Sequence, residues 1–140
     1  WDGVTMINGR VVELELEDVG LTDAVPAELG QLTSLEMLDL TGNQLTSLPA
    51  EIGQLTSLTE LFLGGNQLTS LPAEIGQLSS LKWLELSGNR LMSVPAEIGQ
   101  LTSLERLDLA GIQLNGVPFA IFHLSAFGCD VCTDANVFLP

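Results

Sequence analysis

Three kinds of side chain in this 140-residue chain could do chemistry: eighteen carboxylates, one imidazole and two thiols. Paired carboxylates serve general acid–base catalysis when a cleft desolvates one of them and drives their pKa values apart. Cys129 and Cys132, spaced CxxC, have the spacing of a metal clip or a redox pair. With a single histidine in the chain the pair cannot complete a four-ligand zinc site. A redox reading needs CxxC beside a βαβ unit, and this pair lies at the end of an internal repeat array, so it reads as structural. His123 stands where earlier copies of the repeat carry Gln54, Gln77 and Gln100, which marks it as a surface or cap residue. The acids lack the loop spacing of a calcium site. No phosphate-binding G-x-x-x-x-G-K, no H-E-x-x-H and no G-x-S-x-G occurs. The expectation is a chain without catalysis, metal or cofactor.

Charge narrows the partners. Eighteen acids against four bases leave a formal net charge of −14. Phosphate binding needs clustered Lys and Arg to release counterions, so nucleic acid is excluded as an expected partner. An anionic membrane surface would repel the chain, and no run of about 20 apolar residues exists to span a bilayer. Acidic chains are often disordered, but 46% hydrophobic residues is too apolar for that.

The elements that must carry these residues follow from a repeat. "LPAEIGQL" begins at Leu48 and Leu71, and "VPAEIGQL" at Val94, two offsets of 23. Each is preceded by a leucine-rich core: LEMLDLTGNQL from Leu35, LTELFLGGNQL from Leu58 and LKWLELSGNRL from Leu81, with LERLDLAGIQL from Leu104 as a fourth. A looser copy starts at Val11, 24 residues before Leu35. Leu38 and Leu40, with their counterparts Leu61 and Leu63, Leu84 and Leu86, and Leu107 and Leu109, alternate with period two, which predicts short strands with these leucines pointing inward. Equal spacing stacks such strands in parallel about 4.8 Å apart, so five give a sheet roughly 24 Å wide. Asn43, Asn66 and Asn89 follow the strands, where a buried amide can satisfy the backbone of neighbouring turns. Pro-Ala-Glu then starts a short helical turn, with Glu suiting its dipole. Gly53, Gly76 and Gly99 are expected to end it. One such unit cannot bury its leucines alone; stacking buries them.

The expected organisation is a single domain: residues 1–10 an N-terminal cap segment, 11–126 five repeats, 127–140 a C-terminal cap. Val19 and Ile112 replace the asparagine in the first and last repeats, where an amide would lack a neighbour. Phe127, Val131, Phe138 and Leu139 are expected to cover the end of the core.

The LxxLxLxxNxL pattern resembles that of the leucine-rich-repeat superfamily over roughly residues 11–124. The LTSLPAEIGQL units are similar to Ras-group repeats, and NQLTSLPA to variable lymphocyte receptors. WDGV followed by GRVVELELEDVGLTDAVPAELGQL resembles the start of plant-type receptor ectodomains. Met6 stands where that family carries a cap cysteine, and the upstream cysteine is also absent, so the family's cap disulfide is not expected. The resemblance implies an α/β solenoid, a right-handed horseshoe arc with a concave parallel sheet and short helical or 3-10 convex turns. It also implies recognition of a protein or ligand rather than catalysis. The plant-like start favours a secreted or cell-surface location, whereas the Ras-group-like repeats favour a cytoplasmic one; the balance tips slightly to secreted or cell-surface.

In this frame the side chains flanking the inward leucines face the concave solvent side. The first column reads Glu13, Met37, Glu60, Trp83, Arg106; the second Glu15, Asp39, Phe62, Glu85, Asp108; the third Glu17, Thr41, Gly64, Ser87, Ala110. The convex turns barely vary between copies while these columns do. Met37, Phe62 and Trp83 lie on successive strands, and aromatics facing solvent are interface anchors more often than chance allows. The candidate binding residues are Met37, Asp39, Glu60, Phe62, Trp83, Glu85, Arg106 and Asp108. Their charge favours a protein or peptide with a basic, partly apolar surface. A structural or self-associating role through the apolar C-terminal end is the alternative, as is the sensor part of a larger receptor.

Overall fold

The computed structural model describes residues 2–116 and 119–134. In chain order the strands are β1 (Val4–Ile7), β2 (Arg10–Glu15), β3 (Thr22–Ala24), β4 (Met37–Asp39), β5 (Gln44–Ser47), β6 (Glu60–Phe62), β7 (Trp83–Glu85), β8 (Arg106–Asp108) and β9 (Asp130–Cys132), with one helix, α1 (Phe119–Ala126). Seven of them form one open sheet in the order β1-β2-β4-β6-β7-β8-β9. β1 folds back antiparallel on β2, and every later pairing in this sheet is parallel. β3 and β5 make a separate parallel pair.

The period of 23 sets the register. Leu38, Leu61, Leu84 and Leu107 stand opposite one another at the centres of β4, β6, β7 and β8. All four are fully buried, as are Leu63 and Leu86 beside them, and they belong to one continuous core running from Val25 to Cys129. The leucines are isolated in each repeat and contiguous only once stacked, which makes the core a property of the array.

The convex side carries 3-10 turns at Ala27–Gln31, Ala50–Gln54, Ala73–Gln77 and Ala96–Gln100. Each follows a proline in extended conformation, so the proline precedes the turn instead of opening it. Glu51, Glu74 and Glu97 sit in the first turns as expected. Gly53 and Gly76 do not terminate the turns; they lie inside them. Their reason is packing. A Cβ at Gly53 would lie 2.7 Å from the Glu74 carbonyl oxygen, and one at Gly76 2.5 Å from that of Glu97. The turn glycines let successive rungs approach closely.

The asparagines behave as the sequence suggests. The Asn66 amide donates to the carbonyls of Leu40 and Leu63 at 2.9 and 3.0 Å, and its oxygen accepts the Leu45 N–H at 3.1 Å. Asn89 repeats this one rung later with Leu63, Leu86 and Leu68. Each reaches back to the preceding repeat. Ile112, in the same slot at the C-terminal end, is instead buried in the core, whereas Val19 is exposed.

At the C-terminal end α1 takes the place of a fifth 3-10 turn and packs on the fourth. Ile121, Leu124 and Cys129 enter the core, and Val131 takes the inward place opposite Leu107. The tail therefore adds a sixth parallel rung beyond the leucine spacing. Phe127 does not cover the core: it is 80% exposed, because it follows the end of α1 and lies against His123 outside, ring centroids 4.7 Å apart and planes inclined at 55°. Phe138 and Leu139 lie outside the described residues. No helix among the described residues is long and apolar enough to cross a membrane.

Candidate functional site

The parallel register places the concave columns side by side. Glu13, Met37, Glu60, Trp83 and Arg106 align across β2, β4, β6, β7 and β8, and so do Glu15, Asp39, Phe62, Glu85 and Asp108. β9 extends the two rows with Asp130 and Cys132. The sequence columns missed those two residues. The signal for them was the D-V-C alternation, with valine in the inward place.

Phe62 and Trp83 come together as a diagonal pair across β6 and β7, a separation that long side chains bridge. Their ring centroids are 5.1 Å apart at an interplanar angle of 79°, an edge-to-face contact. Both are half-buried. The Arg106 guanidinium lies over the Trp83 ring, 4.9 Å from its centroid. Met37 stands opposite Glu60 in the register, on the other side of β6 from Trp83. The indole Nε1 of Trp83 is buried and has no hydrogen-bond partner. An open depression of about 410 Å³ adjoins the tryptophan, lined by Thr59, Glu60, Lys82, Trp83, Glu105 and Arg106.

Three acids of the second column, Asp39, Glu85 and Asp108, accept backbone N–H groups. The Asp39 carboxylate accepts the Thr41 N–H at 2.9 Å, and Asp108 accepts that of Ala110 at 3.0 Å. Glu85 spans two rungs: one oxygen accepts the Gly64 N–H at 3.0 Å, the other the Ser87 N–H at 3.1 Å and the Ser87 hydroxyl. Gly64 makes this reach feasible, since a Cβ there would collide with the Glu85 carboxylate. These three carboxylates therefore terminate strands as well as charging the face. A carboxylate held by backbone N–H groups keeps its negative charge in a fixed place.

No group of three or more His, Cys, Asp or Glu among the described residues is placed to hold a metal ion. The two thiols differ sharply. Cys129 is buried and Cys132 exposed. Burial, and then the neighbouring Asp130 charge, push the Cys129 thiol up to about 11. Because the thiolate is the reacting form, iodoacetamide near neutral pH is expected to modify Cys132 alone in the folded protein. Cys129 reacts only after denaturation. Mass spectrometry showing both cysteines modified at equal rates before unfolding would contradict this burial.

With the geometry in place, the chain can be set beside known proteins. A family profile described as "Leucine-rich repeat region" matches residues 11–86, more than half of the chain, and one described as "Leucine Rich Repeat" matches residues 80–101. The chain belongs to the leucine-rich-repeat family. No curated protein sequence matches it. Among solved structures, this leucine-rich-repeat protein is similar to a leucine-rich-repeat protein of Leptospira interrogans. Identity is 47% and the TM-score 0.72, over 74% of this chain and 26% of that one. It is also similar to the BIR2 ectodomain of Arabidopsis thaliana, with 30% identity and a TM-score of 0.79, over 99% of this chain and 80% of that one. A third is the Arabidopsis receptor kinase HAESA complex with the peptide hormone IDA and the co-receptor SERK1. There identity is 34% and the TM-score 0.66, over 81% of this chain and 19% of that one. The chain thus spans about a quarter of the Leptospira protein and most of the BIR2 ectodomain.

Proposed function

We propose that this leucine-rich-repeat domain is a non-catalytic recognition module whose concave sheet binds a protein or peptide with a basic, partly apolar surface. The observation that carries the reading is the half-buried Phe62–Trp83 pair set among carboxylates in columns that vary while the convex turns Ala50–Gln54, Ala73–Gln77 and Ala96–Gln100 are identical in sequence. Glu13, Glu15, Asp39, Glu60, Glu85 and Asp108 charge this face, and charge complementarity selects the partner and speeds encounter. Similarity to a receptor solved with a peptide hormone and a co-receptor supports a peptide or protein ligand.

Replacing Phe62 and Trp83 together by alanine is expected to weaken capture of such a partner about tenfold or more, as for paired hot-spot residues. Stability should fall little, because both rings stand outside the leucine core and the Trp83 N–H has no bond to lose. Peptide-array or pull-down binding, read beside thermal unfolding, checks this. Unchanged binding with a large loss of stability would remove the concave face from the function. The competing reading, self-association, has its own support in Phe119 and Phe127, 84% and 80% exposed at the C-terminal end. Light scattering across a wide concentration range separates the two.

A further inference from the structure

We infer that Arg106 is a placeholder on Trp83: it occupies the ring face that a cationic side chain of the partner takes on binding, so the partner contributes a guanidinium or ammonium group at this point. The inference rests on the recognition reading above and names the chemistry of one contact within it.

Trp83 has two things to offer a ligand, the indole N–H and the ring face. The N–H is buried, so only the face is available. A ring face attracts cations within about 6 Å of its centroid. The Arg106 guanidinium already lies there at 4.9 Å. Carboxylates surround this point. Glu60 is Trp83's direct neighbour on β6, Glu85 shares its strand, and Glu105 and Asp108 flank Arg106; Lys82 on the lining of the depression is the one cation near Trp83 besides Arg106 among the residues that line it. An anionic ligand would meet these charges, whereas a cation would be held by them. Arg106 is exposed, and exposed contacts of this kind are weak. The depression of about 410 Å³ beside the ring leaves room for an incoming side chain and for Arg106 to swing aside. In the free protein, Arg106 both covers the ring and repels the cation that would replace it.

The test uses Trp83 as its own reporter, in a Trp1→Phe background that makes it the sole tryptophan. The probes are N-acetyl-arginine amide, its neutral analogue N-acetyl-citrulline amide, and the anionic N-acetyl-aspartate amide. Arg106→Ala is expected to lower the half-saturating concentration of the arginine probe about tenfold, through the freed ring face and the lost like charge. The citrulline response should not change. Arg106→Gln should act in the same direction. An unchanged or raised half-saturating concentration overturns the inference, as does a response to the aspartate probe that is lost with Arg106, which would make it an anion receptor. Failure of the arginine probe on both proteins overturns it too. The recognition reading is judged separately, by capture of whole partners with the Phe62/Trp83 double variant.

Discussion

Replacing Asn66 by alanine is expected to destabilise the fold by about 4 kcal/mol: the Leu45 N–H is orphaned at roughly 1–3 kcal/mol, and two further hydrogen bonds of about 1 kcal/mol each are lost to the Leu40 and Leu63 carbonyls, which keep Asn43 and Asn89 as partners. Asn66 is 5% exposed and makes its bonds to Leu40, Leu63 and Leu45, residues of two successive rungs. Without the amide, two carbonyls and one N–H lose that partner inside a solenoid that water does not reach. Set against a typical total stability of about 5–15 kcal/mol, this is a large fraction, and a melting temperature lower by roughly 15 °C should follow. Asn66→Asp should not rescue the fold, since it keeps the acceptor for Leu45 but turns the donor toward Leu40 and Leu63 into a second acceptor. Asn43→Ala should lose about half as much, since each orphaned group costs less where water can replace it. The Asn43 oxygen serves Val19 and Leu21, which are exposed and half-buried at the edge of the array. Urea denaturation of the three variants measures the gradient. A loss below about 1 kcal/mol at Asn66, the net worth of a single hydrogen bond, would mean that the ladder is not what binds one rung to the next.

The register was legible in the sequence. A constant period of 23 sets which residues are neighbours across the sheet, and alternation of two sets which of them face outward. Trp83 and Arg106 are one period apart, so their adjacency follows from counting. Other features were invisible because the sequence records residue type and not what a side chain can reach. Asp108 and Glu85 look alike in the repeat, yet Glu85 is bound to two rungs. Its one trace in the sequence is a glycine at position 64, where Thr41 and Ser87 stand in the neighbouring copies. Cys132 escaped the concave columns because the tail drops the leucine spacing while keeping the alternation that pairs it with Asp108. Phe127 was misplaced because hydrophobicity alone argues for burial. The end of α1 leaves it outside, with Ile121 and Leu124 filling the space.

The turn glycines set up a comparison within one molecule. Gly76→Ala is expected to destabilise by about 3 kcal/mol, the upper end of overpacking costs, because its Cβ would meet backbone. The obstacles are the Glu97 carbonyl at 2.5 Å and the Glu97 Cβ at 3.0 Å, neither of which can give way without moving the next rung. Gly99 has the same place in its repeat and the same neighbouring sequence, but the element stacked on it is α1. A Cβ there would find the Ala120 Cβ as its nearest contact, at 3.3 Å, which a shift of a few tenths of an ångström relieves. Alanine also restricts the unfolded chain, a gain of about 0.4–1 kcal/mol where the native backbone suits it, and Gly99 is not among the glycines with positive φ. Gly99→Ala should therefore be neutral or slightly stabilising while Gly76→Ala is severe, although sequence alone treats the two as equivalent. Equal losses at both sites in thermal and urea unfolding would show that the glycines serve the turn's own conformation. Unequal losses in the stated order would assign Gly76 to the close approach of successive rungs, and would follow from α1 replacing a 3-10 turn at the end of the array.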